Sequence, residues 1–247
     1  MPTLQRDGAT IYYEVSGNES GFPLLLLAPG GLNSAILFWH RMPLNPITAF
    51  ADEFRIITMD QRNAGQSSGP LVTTDGWTMF ADDQLAVLDA VGVDRFIAIG
   101  CCIGCTFILE LIERAPTRIV AGIMMQPIGL DDSNPGTFGE ATWTPWGQNL
   151  IEKGAHLDME TVAAFGHSLF DPGFVFSVSR EFTQGITTPL LLMDGNDCAH
   201  PKGISDELAA LVPGIERIER WRDEDVVPAA TDQMRQFLRA HTPAGGN

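Results

Sequence analysis

The sequence predicts an α/β fold, a mostly parallel sheet wound with helices on both faces and interrupted once by a helical insertion. Three observations predict it. Short apolar runs alternate with helical ones from Phe22 to Gln126, at the spacing of strand–helix–strand units. The alternation breaks at Pro127 and resumes at Pro189. Within the first stretch, Gly100-Cys101-Cys102-Ile103-Gly104 joins an apolar run (Arg95 to Gly100) directly to a helical one (Thr106 to Ala115), so it reads as strand, tight turn, helix.

Taken in order, residues 1 to 16 hold two short runs around Asp7-Gly8, an opening antiparallel hairpin. Phe22 to Pro29 is a continuous apolar strand of the kind buried on both faces, and Phe54 to Asp60 is the next. Trp77, Ala81, Leu85 and Leu88 recur at helical spacing, on a helix that ends near Gly92. After the Gly100–Gly104 turn and its helix, stopped by Pro116, comes a strand from Ile119 to Gln126. Residues 130–186 carry Pro135-Gly136 and helical segments around 146–153, 159–170 and 174–184. The sheet resumes with Pro189 to Gly195, a helix marked by Ile204, Leu208 and Leu211, a last strand from Ile215 to Trp221, and a final helix lined by Ala230, Met234, Phe237 and Leu238. This divides the chain into a core (1–129 and 187–241), an inserted helical cap (130–186) and a disordered tail (242–247).

Composition narrows the function. At 247 residues and 45% apolar content the chain can bury a substantial core. Fifteen basic residues against thirty-one acidic ones give a formal charge of −16, which repels phosphate backbones and anionic lipid alike. Neither a nucleic-acid nor a membrane partner is expected, and the partner is a small-molecule substrate. The N-terminal residues lack a basic stretch followed by an apolar core, so a cytoplasmic protein is expected. Three of the four cysteines fall within residues 101–105, unlike a disulfide framework, and reduced thiols follow. The Cys102/Cys105 spacing alone does not make a metal site, and no metal or cofactor is expected. Nothing in the sequence opposes a homodimer.

Four landmarks in a fixed order give the chain a family resemblance over nearly its whole length. They are Pro29-Gly30-Gly31 after an early strand, Asp60 to Ser67 (DQRNAGQS) after the next, the Gly100–Gly104 turn, and Gly195-Asn196-Asp197 after a late strand. The chain resembles the α/β-hydrolase family, which implies a mostly parallel eight-stranded sheet with helices on both faces and a small helical cap. Gly100–Gly104 then resembles that family's nucleophile elbow, with cysteine where serine is commoner. Asn63 stands where the family's second motif has glycine, and that motif reads as a structural turn. The resemblance further implies an oxyanion hole from the backbone N–H of Ile103 and that of Gly31 or Leu32, each donor worth about 3 kcal/mol in the transition state.

Cys102, central in the turn and at a helix N-terminus, is the expected nucleophile, with a pKa below the free thiol's value of about 8.5 and the fastest alkylation among the cysteines. Cys101 and Cys105 read as small buried hydrophobes. Cys198 reads as a loop thiol on the same sheet edge, with redox pairing to the elbow as the alternative. A cysteine nucleophile needs a base and a group to orient that base. In the family this histidine follows the last strand, but the corresponding loop here, Trp221 to Val227, contains none. Of the five histidines, His241, His156 and His167 read as surface residues and His40 as a residue of the early loop that can overhang the pocket. His200 is the best candidate base, the alternative being a histidine that caps the next helix or bonds a loop carbonyl. Asp197 is the candidate acid, although three residues before His200 its reach to the imidazole is in question. Asp194, Asp131 and Asp132 are alternatives.

Aromatic residues of the cap, Trp143 and Trp146 foremost, suggest an apolar substrate, although several must form the cap's own core. The expected activity is that of an esterase or lactonase: hydrolysis of a small ester, lactone or thioester through an acyl-enzyme on Cys102. Cysteine at this position resembles the dienelactone hydrolases in nucleophile type. The alternatives are a cofactor-free lyase, isomerase or cyclase using His200 as acid or base, and a catalytically silent ligand-binding protein.

Overall fold

Asp7 and Gly8, with φ of 47° and 76°, form the two-residue loop that closes β1 (Thr3–Arg6) on β2 (Ala9–Gly17). Positive φ at both loop positions matches the right-handed twist of the strands it joins. The computed structural model describes residues 2–244. β3 (Pro23–Leu27), β4 (Arg55–Met59), β5 (Phe96–Cys101), β6 (Ile119–Met125), β7 (Leu190–Met193) and β8 (Glu216–Ile218) complete one eight-stranded sheet, in the order β1-β2-β4-β3-β5-β6-β7-β8. β2 is antiparallel to β1 and β4, and every other pair is parallel. The expected mostly parallel, eight-stranded architecture is therefore the one observed.

The all-apolar central strands are buried on both faces because each face carries its own core. Leu25, Leu27 and Ala98 point into one, with α2 (Gly76–Ala90), α3 (Ile103–Arg114), and residues of α4 (Glu140–Glu152) and α5 (Met159–Phe170). Leu24, Leu26, Ile97 and Ile99 point into the other, with Trp39, Phe50 beside α1 (Pro46–Ala49), and Met234 and Phe237 of α8 (Val227–His241). α6 (Arg180–Gln184) and α7 (Lys202–Leu211) flank β7 in sequence. Among the described residues, no helix is long and apolar enough to cross a membrane.

The segment between β6 and β7 departs from expectation in two places. α4 starts at Glu140 rather than near 146, running through Pro145, which masked the start in the sequence. Residues expected to be helical from 174 are irregular until α6 begins at Arg180. Gly173, Phe174 and Phe176 have φ of 68°, 50° and 72°, which breaks any helix there. Ser177 Oγ fastens the segment by donating to Thr106 O of α3 at 3.0 Å. The tail expected from 242 is ordered at its start, where Thr242 Oγ1 donates to Leu238 O at 2.8 Å. Residues 245–247 lie outside the described residues.

On α3, behind the central turn, Glu110 is only 4% exposed and accepts a hydrogen bond from Thr78 Oγ1 of α2 at 3.1 Å. Burial, against the opposing Thr78 bond, raises its pKa from 4.5 to about 7. A carboxyl whose folded pKa lies above its unfolded value stabilises the fold fully below the unfolded pKa, and loses that contribution as pH rises through the folded one. Stability should therefore decline between pH 4.5 and 7. Glu110→Gln is expected to flatten this slope and gain about 1–2 kcal/mol at pH 8, after discounting for solvent screening. Thermal melts of both proteins at pH 5 and pH 8 check it; parallel pH dependence would exclude Glu110 as the cause.

Candidate active site

Cys102 sits between β5 and α3 with φ 60° and ψ −119°, a strained conformation that turns its side chain out of the strand line. The turn closes only because its glycines lack side chains. A Cβ on Gly100 would lie 2.2 Å from Gly104 O, and one on Gly104 would lie 2.2 Å from Leu27 O of β3. Cys102 N–H donates to Met125 O at the end of β6 (2.9 Å), and Cys102 O accepts from Cys105 N at 3.0 Å.

The backbone N–H groups of Ile103, Gly30 and Gly31 face the Cys102 sulfur and favour its thiolate. Three convergent N–H groups are also what a developing carbonyl oxyanion requires. Gly31 and Ile103 were expected here and Gly30 was not. Leu32, the alternative to Gly31, lies one residue on, in the 3-10 turn Gly31–Asn33, with its side chain in the core at 5% exposure. Gly30 was missed because a PGG sequence does not reveal which amide turns inward; its φ of 121° sets that direction. The second motif holds this loop in place. Asp60 accepts from Ile36 N and Gln66 N, both at 2.8 Å, and Gln61 N donates to Ser34 O at 3.0 Å. Arg62, forked onto buried Asp83 at 2.8 and 2.7 Å, fixes the motif to α2.

Desolvation by burial outweighs the three amides, and the Cys102 pKa is raised rather than lowered, with the nearby Asp197 charge adding to the rise. The expectation of a depressed pKa is thereby reversed. The sequence shows the helix N-terminus but not the surroundings that desolvate the sulfur of this partly exposed residue. Cys198 is the exposed cysteine, Cys102 is partly exposed, and Cys101 and Cys105 are buried, so alkylation should start at Cys198, with Cys102 slowed by its raised pKa. The Cys102 rate with iodoacetamide is expected to keep climbing above pH 9. A mass-resolved rate profile that levels off below pH 8 would contradict this. Cys105 Sγ lies 3.4 Å from Gly100 O and 3.3 Å from Met125 O, as a structural thiol does, and Cys198 Sγ lies 3.1 Å from Thr137 Oγ1.

His200 lies in the loop after β7, its side chain 12% exposed. Its Nδ1 is 2.7 Å from Asp197 Oδ1, so the reach that three residues of separation put in question is attained. The loop is tight: Asp197 N donates to His200 O at 3.2 Å, and His200 N to Asp197 O at 3.1 Å. Ala199 N and His200 N also donate to Asp197 Oδ1, each at 3.0 Å. Burial alone would raise the Asp197 pKa, but the His200 imidazole and these N–H groups more than compensate and hold it low. An ionised carboxylate on Nδ1 selects the tautomer with its proton there, leaving Nε2 bare. Nε2 is buried and has no partner. Desolvation lowers the His200 pKa despite the Asp197 charge, so the ring is neutral at pH 7 and able to accept a proton. His200 Nε2 and Cys102 Sγ are not hydrogen-bonded to each other.

The alternative acids are engaged elsewhere. Asp194 is forked onto Arg217 with both contacts at 2.7 Å, Asp131 accepts from Ser133 N and Oγ at 2.7 and 2.5 Å, and Asp132 is exposed. His40 is exposed on its turn, its Nδ1 3.3 Å from Asn45 Nδ2. Trp143 and Trp146 are buried in the helical insertion, stacked on Phe170 and Phe165 at 6.0 and 5.7 Å, and serve as its core. Arg222 was not anticipated: it comes from the loop after β8, where the sequence lacks a histidine, and its guanidinium lies 3.5 Å from Asp197 Oδ2.

A protein-family model described as "alpha/beta hydrolase fold" matches residues 23–151, more than half of the chain. The chain belongs to the alpha/beta hydrolase fold family. Within the family it is similar to a putative carbamate hydrolase, RutD, of Agrobacterium fabrum, 28% identical over 126 residues that cover 51% of this chain and 47% of the relative. The match thus spans about half the length of that curated relative. Among solved structures of this fold, "Est816 as an N-Acyl homoserine lactone degrading enzyme" covers 98% of this chain and 100% of its own, with a TM-score of 0.68 and 22% identity. The enol-lactonase from Burkholderia xenovorans LB400 covers 96% and 100%, with a TM-score of 0.69 and 19% identity. At these identities the two alpha/beta hydrolase structures establish the shared fold.

Proposed function

We propose that the chain is a cysteine-dependent hydrolase of a small, largely apolar ester, lactone or thioester, with Cys102 as nucleophile, His200 as base and Asp197 orienting it. The observation that carries this reading is the Asp197–His200 pair at 2.7 Å, which leaves Nε2 bare and buried, with Asp197 near enough to the Cys102 thiol for its charge to raise that thiol's pKa. Its support from relatives is that two proteins of the same fold are named for acting on lactones.

In the proposed reaction His200 Nε2 takes the Cys102 thiol proton as the sulfur attacks the substrate carbonyl, and the oxyanion forms among the N–H groups of Gly30, Gly31 and Ile103. Collapse expels the alcohol or thiol, which takes the proton from His200, and leaves a thioester on Cys102. His200 then removes a proton from water, which attacks the thioester and releases the acid and the free thiol. A raised thiol pKa suits this sequence, because the proton leaves only as the attack takes place. The protein acts on a small molecule, without nucleic acid or membrane as partner, in the cytoplasm.

Incubation with p-nitrophenyl acetate followed by intact-protein mass spectrometry is expected to show one acetyl group, mapped to Cys102 and missing in Cys102→Ala. Turnover that persists in Cys102→Ala would reject the acyl-enzyme. The missing Cys102–His200 hydrogen bond favours the second reading, a lyase, isomerase or cyclase in which His200 alone moves the proton. That reading predicts turnover in the same variant.

A further inference from the structure

A cavity of about 590 Å³ lies to one side of the Cys102 turn, between the loop after β4 and the C-terminal end of α4. Cys102 does not line it. The 3-10 turn Gly31–Asn33 stands between the two places: Gly31 N–H faces the Cys102 sulfur, while Asn33 lines the cavity.

The chemistry of this cavity runs against that of the chain. Thirty-one of 247 residues are acidic, yet none of the sixteen lining residues is Asp or Glu. Its charged or chargeable groups are Lys153 and His156. Lys153 is exposed and forms no ion pair among the described residues, in a chain with twice as many acids as bases. With no carboxylate on the lining to offset it, the Lys153 charge favours an anion in this space. Four carboxamides, Asn33, Asn63, Gln66 and Asn149, line the same space. Asn63 is 7% exposed, and while its Oδ1 accepts from Gly69 N at 2.9 Å, its Nδ2 is buried with no partner. Asn63 therefore belongs to the wall of the cavity, and Asn33, Gln66 and Asn149 are the carboxamides left to meet a ligand.

The end of α4 does not oppose an anion as a bare helix C-terminus would. Its last carbonyls accept from the N–H groups of Lys153, Gly154 and Ala155 at 3.1, 2.9 and 3.0 Å. The Asp60 carboxylate behind the loop is likewise occupied by Ile36 N and Gln66 N.

We propose that this cavity is a second small-molecule site, taking a compact polar molecule that carries one carboxylate or phosphate group. Lys153 and His156 meet the charge, and the carboxamides of Asn33, Gln66 and Asn149 meet the hydroxyl or carbonyl groups of the ligand. The volume suits a metabolite-sized ligand.

Calorimetric titration with lactate and with inorganic phosphate, separately and at low salt, tests it. At least one of the two is expected to bind with a Kd of about 1 mM, the tighter one identifying the oxyanion. Lys153→Glu and Asn149→Asp should each weaken binding at least about tenfold through like-charge repulsion. Cys102→Ser and Lys202→Glu, which alter the nucleophile and an exposed cation outside the cavity, should leave it unchanged. Binding undiminished in Lys153→Glu, lost in Cys102→Ser, or lost in Lys202→Glu would overturn the proposal, as would no heat with either anion at tenfold higher concentration. The Cys102→Ser arm keeps this result independent of whether the protein proves to be a hydrolase.

Discussion

His200→Ala is expected to lower kcat/KM for p-nitrophenyl acetate by about 10²–10⁴-fold, the usual contribution of a positioned general base. The imidazole is bound through Nδ1 to Asp197 and is free at Nε2 to take a proton. The pH profile adds a sign. A base is active only when neutral, and desolvation already lowers the His200 pKa from 6.5, so activity should persist at pH 6.5 and fall only in more acidic solution. Asp197 opposes that lowering. Asp197→Asn should therefore move the acid limb to still lower pH while reducing the plateau rate, because the carboxamide no longer fixes the tautomer. Steady-state rates from pH 4 to 9 on the three proteins check both statements. Wild-type rates in His200→Ala, or an acid limb that moves upward in Asp197→Asn, would remove the pair from the mechanism.

The second large effect is on folding. Alanine at Gly104 places a Cβ 2.2 Å from Leu27 O, and alanine at Gly100 places one 2.2 Å from Gly104 O. Both clashes are with backbone of the central sheet or its first helical turn, which cannot swing aside as a side chain can. Each variant is expected to lose about 3 kcal/mol or more, at the upper end of overpacking penalties. For a domain of this size that lowers Tm by about 6–12 °C. Gly136→Ala, with nothing within 4 Å of the added carbon, is the control and should melt within a degree or so of wild type. An unchanged Tm in Gly104→Ala would mean that the turn is looser than its geometry implies.

How far the sequence could be read depended on whether a signal was local. Runs such as Leu24 to Leu27 and Ile97 to Ile99 announce strands buried on both faces, and the two observed cores explain why they are apolar throughout. The Gly100–Gly104 turn was legible because two backbone clashes dictate its glycines. Pro145 hides the first turn of α4 by imitating a helix start, and the left-handed Phe174 and Phe176 have no composition that betrays them. In the site, loop position singled out His200 and Asp197, but their contact depends on how the 197–200 turn folds back on itself. The thiol pKa was misjudged for a similar reason. Helix N-termini are visible in a sequence, whereas the depth at which a sulfur is buried comes from tertiary packing.

The short span of the Asp197–His200 pair has a consequence for how such a site changes over time. When acid and base come from loops after different strands, their alignment depends on the relative placement of those strands, and each can drift separately. Here four consecutive residues carry both groups and their mutual hydrogen bonds. The pair can thus be transplanted, lost or regained as one cassette. With His200 as the proposed base, the loop after β8 is released from supplying a histidine and can diverge around Arg222.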